Sequence, residues 1–473
     1  MIVGVSIALL FVVSGCGGSP ESGSAPDRQA RPTSSSGDDR FDAASQVTTT
    51  TDGPRRAQLT TTEPPVGSTG ESETDQETQA ILVGAEVLVR DDFEPLAGKR
   101  VGVVLNVASR VGSGDLLDVL VEAPEVDVAA VFAPEHGLRA SDPAGEDVSD
   151  GFDESTGLVV HSLYGATKAP SQSALSELDI LVFDLQDVGA RFYTYVSTLG
   201  EVMQAAAEAD LPVVVLDRPN PLGGDYVDGW TLELAQQSFV GRYKIPSVHG
   251  MTIGELAKAI QGEEWLPGLE DLELEIVPVE GWSRDQRWDD TGRPWTPPSP
   301  SLPTPTAALA YPGTVLFEAT NLSVGRGTDE PFTAVGGAWV DGPTMAGVLN
   351  DLSLEGVQFE PITFTPEARP GVPEPILKGE EVSGVRLVID DAETFRPVVV
   401  GIHMLDEFRR QGIEAGQGDV IDQPELLSLL AGTTSLLSDL GDGRAIDIDQ
   451  VSAAWEPGLA EFEQVRNRYR LYE

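Results

Sequence analysis

Three clusters of polar residues in this chain each follow directly on an apolar run. FAPEHG sets Glu135 and His136 behind Phe132 and Pro134, FDLQDVGARFYT sets Asp184, Asp187, Arg191 and Tyr193 behind Phe183, and LDRPNP sets Asp217, Arg218 and Asn220 behind Leu216. A carboxyl group behind a rigid proline at a strand end is partly desolvated, so its pKa rises and it can act as a general acid near neutral pH. His136 either tunes that acid or bonds a sugar hydroxyl; alternatively the Glu135–His136 pair caps its loop. Asp184, closest to the strand, suits a salt bridge that holds the loop, whereas Asp187 and Arg191 lie farther out, where ligand contact is expected. A guanidinium can grip a carboxylate through two parallel bonds. Asp217, Arg218 and Asn220, fixed between prolines, offer acceptors and donors for sugar hydroxyls, or an Asp–Arg brace. A fourth cluster, EATNLSVGRGTDEPF, gathers Glu318, Asn321, Ser323 and Arg326 among glycines that let backbone approach a ligand closely, or that form a tight structural turn. His249, which opens a helical stretch, fits a capping or packing role as well as substrate contact.

Several other chemistries lack their motifs. The chain has no G-x-S-x-G elbow, no H-E-x-x-H, no phosphate-binding P-loop and no G-x-G-x-x-G after its first strand. Its four histidines (136, 161, 249 and 403) are well separated and support no metal site, and no cofactor is called for. What remains is carboxylates, arginines, amides and aromatics, the groups used in carbohydrate hydrolysis, where two carboxyl groups share acid and base or nucleophile roles.

The segments between the clusters supply the scaffold. Apolar runs at 101–105, 180–183 and 213–216 read as buried strands, and GDLLDVLVEAPEV and TYVSTLGEVMQAAAEAD carry helical spacing. Strand–helix alternation with continuous apolar strands predicts a parallel sheet covered on both faces. Ligands bind at the carboxyl ends of such strands, so the scattered clusters should converge on one crevice. After residue 266 the sequence becomes rich in Pro and Trp, then mixes expected strands (VSGVRLVID, RPVVVGIHML) with expected helices (PTMAGVLNDL, QPELLSLLAGTTSLLSDL). The reading is a Rossmann-like domain over 80–303 and a smaller α/β domain over 304–473, with the active site in the cleft between them.

With 77 acidic against 30 basic residues, a formal net charge of −47, the chain has no nucleic-acid footprint, and anionic lipid would repel its surface. The only cysteine, Cys16, ends a short apolar leader in VSGC, a pattern that resembles a bacterial lipobox. Residues 1–16 therefore read as a lipoprotein signal peptide. Residues 17–79, rich in Ser, Thr, Gly, Pro and acid, read as an unfolded tether on the outer side of the cytoplasmic membrane, or on a secreted protein if Cys16 carries no lipid.

From residue 82 onward the chain resembles the NamZ, or YbbC-type, family of exo-β-N-acetylmuramidases. The resemblance is carried by FAPEHGLRA, LVFDLQDVGARFYTYVSTL, VVVLDRPNPLGGDYVDG, SFVGRYKIPSVHGMTIGELA, YPGTVLFEATNLSVGRGTDEPF and WEPGLAEFEQVRNRYRLYE. It implies release of non-reducing-end N-acetylmuramic acid from peptidoglycan fragments such as muropeptides or the MurNAc–GlcNAc disaccharide. It places the family's PEHG glutamate on Glu135, read as the catalytic acid; Asp187 or Glu318 is read from the residues as the second carboxylate. His136, Arg191, Tyr193, Asp217, Arg218, Asn220, Asn321 and Arg326 fall on other family-pattern positions, and Arg191 or Arg326 would meet the lactyl carboxylate. Three positions depart from the family pattern: Ser301 stands for an Asn, Leu105-Asn106 for a Thr-Asn turn, and Gly337-Ala338-Trp339 for Gly-Ala-Pro-Trp. A non-catalytic muropeptide-binding lipoprotein, or a hydrolase of another acidic amino sugar, is the rival reading.

Overall fold

The computed structural model describes residues 80–165, 167–441 and 445–473. The expected leader, Cys16 and the tether up to residue 79 lie outside the described residues. Along the chain the strands are β1 (Arg100–Leu105), β2 (Arg110–Val111), β3 (Gly114–Asp115), β4 (Asp127–Ala133), β5 (Gly151–Phe152), β6 (Val159–Ser162), β7 (Ile180–Asp184), β8 (Val213–Leu216), β9 (Leu274–Val277), β10 (Ala334–Gly337), β11 (Val357–Phe364) and β12 (Val382–Ile389). Seven of them form the main sheet in the order β5-β6-β4-β1-β7-β8-β9. Every neighbouring pair is parallel except β5–β6. The chain steps from β1 outward through β4 to β6, returns to β7 beside β1, and continues to β8 and β9. The direction of winding therefore reverses between β1 and β7, and the crevice that binds ligands in such sheets opens at their carboxyl ends.

The strands are continuous apolar runs because both faces of the sheet are covered. In β1, Val104 faces one core, with Phe132, Phe183 and the helix Tyr195–Glu208, while Val101, Val103 and Leu105 face the other, with the helices Gly84–Arg90 and Leu116–Glu122. Residues after 304 add a three-stranded antiparallel sheet, β10-β12-β11, and several helices. Their apolar side chains join the first core, which runs without a break from Val104 to Phe462.

One expected strand is a helix. RPVVVGIHML begins the long helix Pro397–Glu414. Its run of β-branched residues looks strand-like, but Pro397 suits a first helical turn. Val398, Ile402, Leu405 and Phe408 bury one stripe at helical spacing, and this tertiary burial overrides local propensity. The helix crosses Pro305–Thr314 where two glycines touch, since a Cβ on Gly401 would stand 2.4 Å from the Gly313 carbonyl oxygen.

Two buried groups tie later segments to the sheet. Arg191, 2% exposed, donates to the carbonyl oxygens of Trp230 (2.6 Å), Ile245 (3.3 Å) and Leu430 (2.8 Å). Gly432, at φ 76°, makes room for the guanidinium, which lies 2.5 Å from where a Cβ would stand. Burial pushes the Arg191 pKa down to about 9. Asp217, fully buried after β8, accepts from the backbone N–H groups of Arg218 and Gly254, from the Thr252 hydroxyl and from the hydroxyl of Tyr472 near the C-terminus. Burial pushes its pKa up to about 6 despite those donors.

Replacing Arg191 by Lys should cost about 3 kcal/mol, because carbonyls are left without donors around a buried charge, and a denaturant titration reads the loss. Asp217 should make stability depend on pH. Its folded pKa lies above the unfolded value near 4, so its contribution is complete below that value and is lost as pH rises through about 6. The stability advantage of wild type over Asp217→Asn should therefore shrink by on the order of 2 kcal/mol between pH 4 and pH 7. A constant difference across that range would contradict the assignment.

Candidate active site

β4 runs out of the sheet at Ala133, and Pro134-Glu135-His136-Gly137 turns sharply there. His136 and Gly137 both take left-handed backbone (φ 71° and 72°), and the carbonyl of His136 accepts the N–H groups of Ser141 and Asp142. The turn directs Glu135 at the first turn of the helix Tyr195–Glu208. One carboxylate oxygen accepts the Gly145 N–H at 2.7 Å and the other accepts the hydroxyl of Thr194, the residue before that helix, at 2.5 Å. The positive end of a helix favours a carboxylate at this place. Burial, and after it the charge of Glu135, lifts the Tyr164 pKa above its ordinary range. Glu135 is 7% exposed.

His136 is buried beside it, and its Nδ1 lies 3.0 Å from the Asp142 carbonyl oxygen. Burial pulls the His136 pKa down, Glu135 and Asp142 pull it up, and Arg326 pulls it down again. Arg326 thus faces the acid loop from the second part of the chain. Its Nε bonds Glu318 at 2.5 Å, its Nη1 bonds the Ser301 hydroxyl at 2.9 Å, and its guanidinium lies 5.0 Å from the Phe332 ring centre. Ser301, one of the departures from the family pattern, therefore serves as the anchor of Arg326.

Tyr311 joins these groups. It packs edge-on to Phe192, Tyr193 and Phe332. Burial raises its pKa above the ordinary range, Glu318 raises it further, Arg326 opposes, and Glu135 and Asp187 add to the rise. The charges of four sequence candidates, Glu135, Asp187, Glu318 and Arg326, are thus all felt at one tyrosine hydroxyl. Asp187 accepts the Gly189 N–H on Oδ2 at 2.8 Å, and His249 Nε2 stands 3.3 Å from the same oxygen. The Met251 N–H donates to His249 Nδ1, which leaves the ring proton on Nε2. Asp187 Oδ1 and the Tyr193 hydroxyl are buried without a partner among the described residues.

Other candidates are structural in this arrangement. Arg191 is sealed among carbonyls, so the expected grip on a ligand carboxylate has no route to solvent. Arg218 is spent on the buried Asp184 as a two-pronged pair. Asp217 is enclosed by its four donors. Asn220 fixes its loop, donating to the Met251 carbonyl and accepting the Leu222 N–H. Asn321 is exposed, and its side chain makes no hydrogen bond among the described residues. Asn106, after β1, supports the Tyr195 hydroxyl, which in turn donates to the Pro298 carbonyl.

Sequence reading passed over Thr194, Tyr164, Tyr195, Tyr311 and Lys168. Thr194 and Tyr195 end the same FDLQDVGARFYTY stretch, and a hydroxyl just before an expected helix is the signal for the first of them. A depression of about 530 Å3 opens on the outer side of the acid loop, bounded by Gly137, Asp142, Phe152 and Asp153, but Glu135 does not form part of its wall.

Residues 101–306 match the N-terminal domain, and residues 309–472 the C-terminal domain, of the family described as exo-beta-N-acetylmuramidase NamZ. The peptidoglycan beta-N-acetylmuramidase NamZ of Bacillus subtilis (strain 168) is 37% identical over 396 residues, covering 83% of this chain and 91% of that protein. Two crystal structures of DUF1343 family proteins from Bacteroides fragilis NCTC 9343 are similar. The first has TM-score 0.75 and 33% identity over 83% of this chain and 99% of that one. The second has TM-score 0.66 and 32% identity over 84% and 99%. With both domains matched in order and a relative of this identity aligned across most of its length, the chain belongs to the NamZ family of exo-β-N-acetylmuramidases.

Proposed function

We propose that the protein is an exo-acting glycoside hydrolase that releases N-acetylmuramic acid from the non-reducing end of peptidoglycan fragments. The observation that carries this reading is the setting of Glu135: a carboxyl at the carboxyl end of a parallel strand, held by two donors and ringed by tyrosines. The Bacillus relative is named for the same bond-breaking activity. In this scheme Glu135 hands its proton to the oxygen that leaves as the glycosidic bond breaks. Of the two candidates for second carboxylate, Asp187 is favoured. Its Oδ1 is buried and unpartnered among the described residues, so it can accept from an attacking water or from the substrate acetamido N–H. Glu318 is already engaged by Arg326 and orders that side of the site. His136, Tyr193 and Tyr311 line the place where the sugar would lie. The scheme requires no cofactor.

Export and lipid attachment at Cys16 belong to the same proposal and rest on the sequence alone. No helix among the described residues is long and apolar enough to cross a membrane, so attachment would depend on that cysteine. Expressed in a bacterium that processes lipoproteins, the protein should sediment with membranes, and Cys16→Ser should move it to the soluble fraction. An unchanged distribution would remove the anchor from the proposal.

The activity is tested with the full chain and a chromogenic N-acetylmuramide. Wild type should turn it over, and Glu135→Gln should lose about 10²–10⁴-fold in kcat with substrate binding retained, as expected for loss of a general acid. Binding without turnover by either protein would make the chain a muropeptide-binding module. Undiminished turnover by Glu135→Gln would remove Glu135 from the chemistry.

A further inference from the structure

An N-acetylmuramic acid residue differs from N-acetylglucosamine by its lactyl ether, which ends in a carboxylate. A chain of net charge −47 needs a local cation to attract that group. The cations around Glu135 can be taken in turn. Arg191 is sealed among backbone carbonyls, and Arg218 is paired with buried Asp184. Arg139, on the acid loop, is paired with Asp153. Arg326 is held by Glu318 and Ser301. Lys168 remains. Its ammonium lies 3.3 Å above the ring centre of Tyr164 and 4.7 Å from that of Phe239, two rings set edge-on 5.9 Å apart. Among the described residues it makes no hydrogen bond and no ion pair, although 77 acids are present in the chain. The charge of Glu135 acts on both the Tyr164 hydroxyl and the Lys168 ammonium, so the lysine stands in the neighbourhood of the acid.

A long lysine on a surface normally carries its ammonium out to water. Here it lies over two aromatic faces and is half-buried. The rings hold a cation in place by their quadrupoles without using its three donors. Burial lowers the Lys168 pKa, and Glu135, Asp147 and Glu201 oppose that effect. An arriving carboxylate would do the same and would meet donors that nothing else occupies.

We infer that Lys168, steadied by Tyr164 and Phe239, is the residue that recognises the carboxylate of the substrate and so sets the preference for an acidic amino sugar. The inference rests on the proposed muramidase reading. It assigns to this lysine the role that sequence alone gave to Arg191 or Arg326.

The test uses full-length protein carrying Glu135→Gln, to stop turnover, and compares binding of two probes: free N-acetylmuramic acid and its lactyl amide, which has the same shape but no charge. With Lys168 intact the acid should bind about 10–100-fold more tightly than the amide, the span expected for one charge-assisted contact. Lys168→Met should bring the two affinities together by weakening the acid alone, and Lys168→Arg should keep most of the preference. An equal loss for both probes would mean that Lys168 only supports the fold, and a preference that survives Lys168→Met would place recognition elsewhere; either result overturns the inference. The underlying activity is judged separately, by wild-type turnover of the chromogenic muramide. Turnover with no acid-over-amide preference sinks the lysine and keeps the enzyme.

Discussion

A carboxyl group removed from water must find hydrogen-bond partners or it will not stay in place. Glu135 is 7% exposed, and much of the structure around it can be understood as meeting that demand. Its donors come from far apart in the sequence. Gly145 belongs to the loop after β4, whereas Thr194, at the entrance of a helix, lies 59 residues beyond Glu135. Both are brought to one point because β4 and β7 flank β1, and a parallel sheet delivers every strand end to the same rim. The switch in winding direction beside β1 leaves room there. The acid therefore stands at the rim where the winding of the sheet reverses, beside the start of the helix Tyr195–Glu208.

The same physics sorts the arginines. In a chain so acidic, guanidinium groups are scarce, and several are spent inside. Arg191 satisfies three carbonyls from three segments, Arg218 neutralises Asp184, and Arg284 joins Glu255 to the carbonyls of Gly224 and Gly250. A planar group with five donors is suited to this role because it can answer several acceptors at once. Such groups hold the ends of the strands and the C-terminal helices in register around the site without touching what the site binds. Tyr472 does likewise from the far end of the chain by capping Asp217.

The parallel sheet was legible because strands buried on both faces must be continuously apolar, and the runs at 101–105, 180–183 and 213–216 are so. That the clusters holding Glu135, Asp187 and Asp217 follow strands β4, β7 and β8 was legible in the same way. Which arginine or acid faces inward was not, because that depends on partners brought by folding. Asp217 and Asn220 look like sugar ligands until Thr252, Tyr472 and Met251 arrive to occupy them. RPVVVGIHML misled for a related reason. Its valines favour a strand locally, and only the glycine contact with Gly313 and the stripe beneath it decide for a helix. Tyr311 left no periodic signal, since its position is set by aromatic neighbours distant in sequence.

Two side-chain-bearing residues near the acid adopt left-handed backbone: His136 at φ 71° and Phe332 at φ 61°. Each such conformation costs on the order of 1–3 kcal/mol in a residue other than glycine and persists only where the surroundings enforce it. For His136 the enforcement is the pair of N–H groups from Ser141 and Asp142 on its carbonyl. For Phe332 it is the N–H bond to the Val324 carbonyl and the edge-on packing with Tyr311, with Arg326 above the ring. Relaxing the first would swing Glu135 away from Thr194; relaxing the second would free Tyr311 and Arg326 together. The strain thus falls on the two turns that bring the opposing halves of the site face to face. The stability to bear it comes from elsewhere, from one apolar core shared by both parts of the chain. That shared core explains why the two turns hold a fixed geometry: neither part can shift without opening apolar surface common to both.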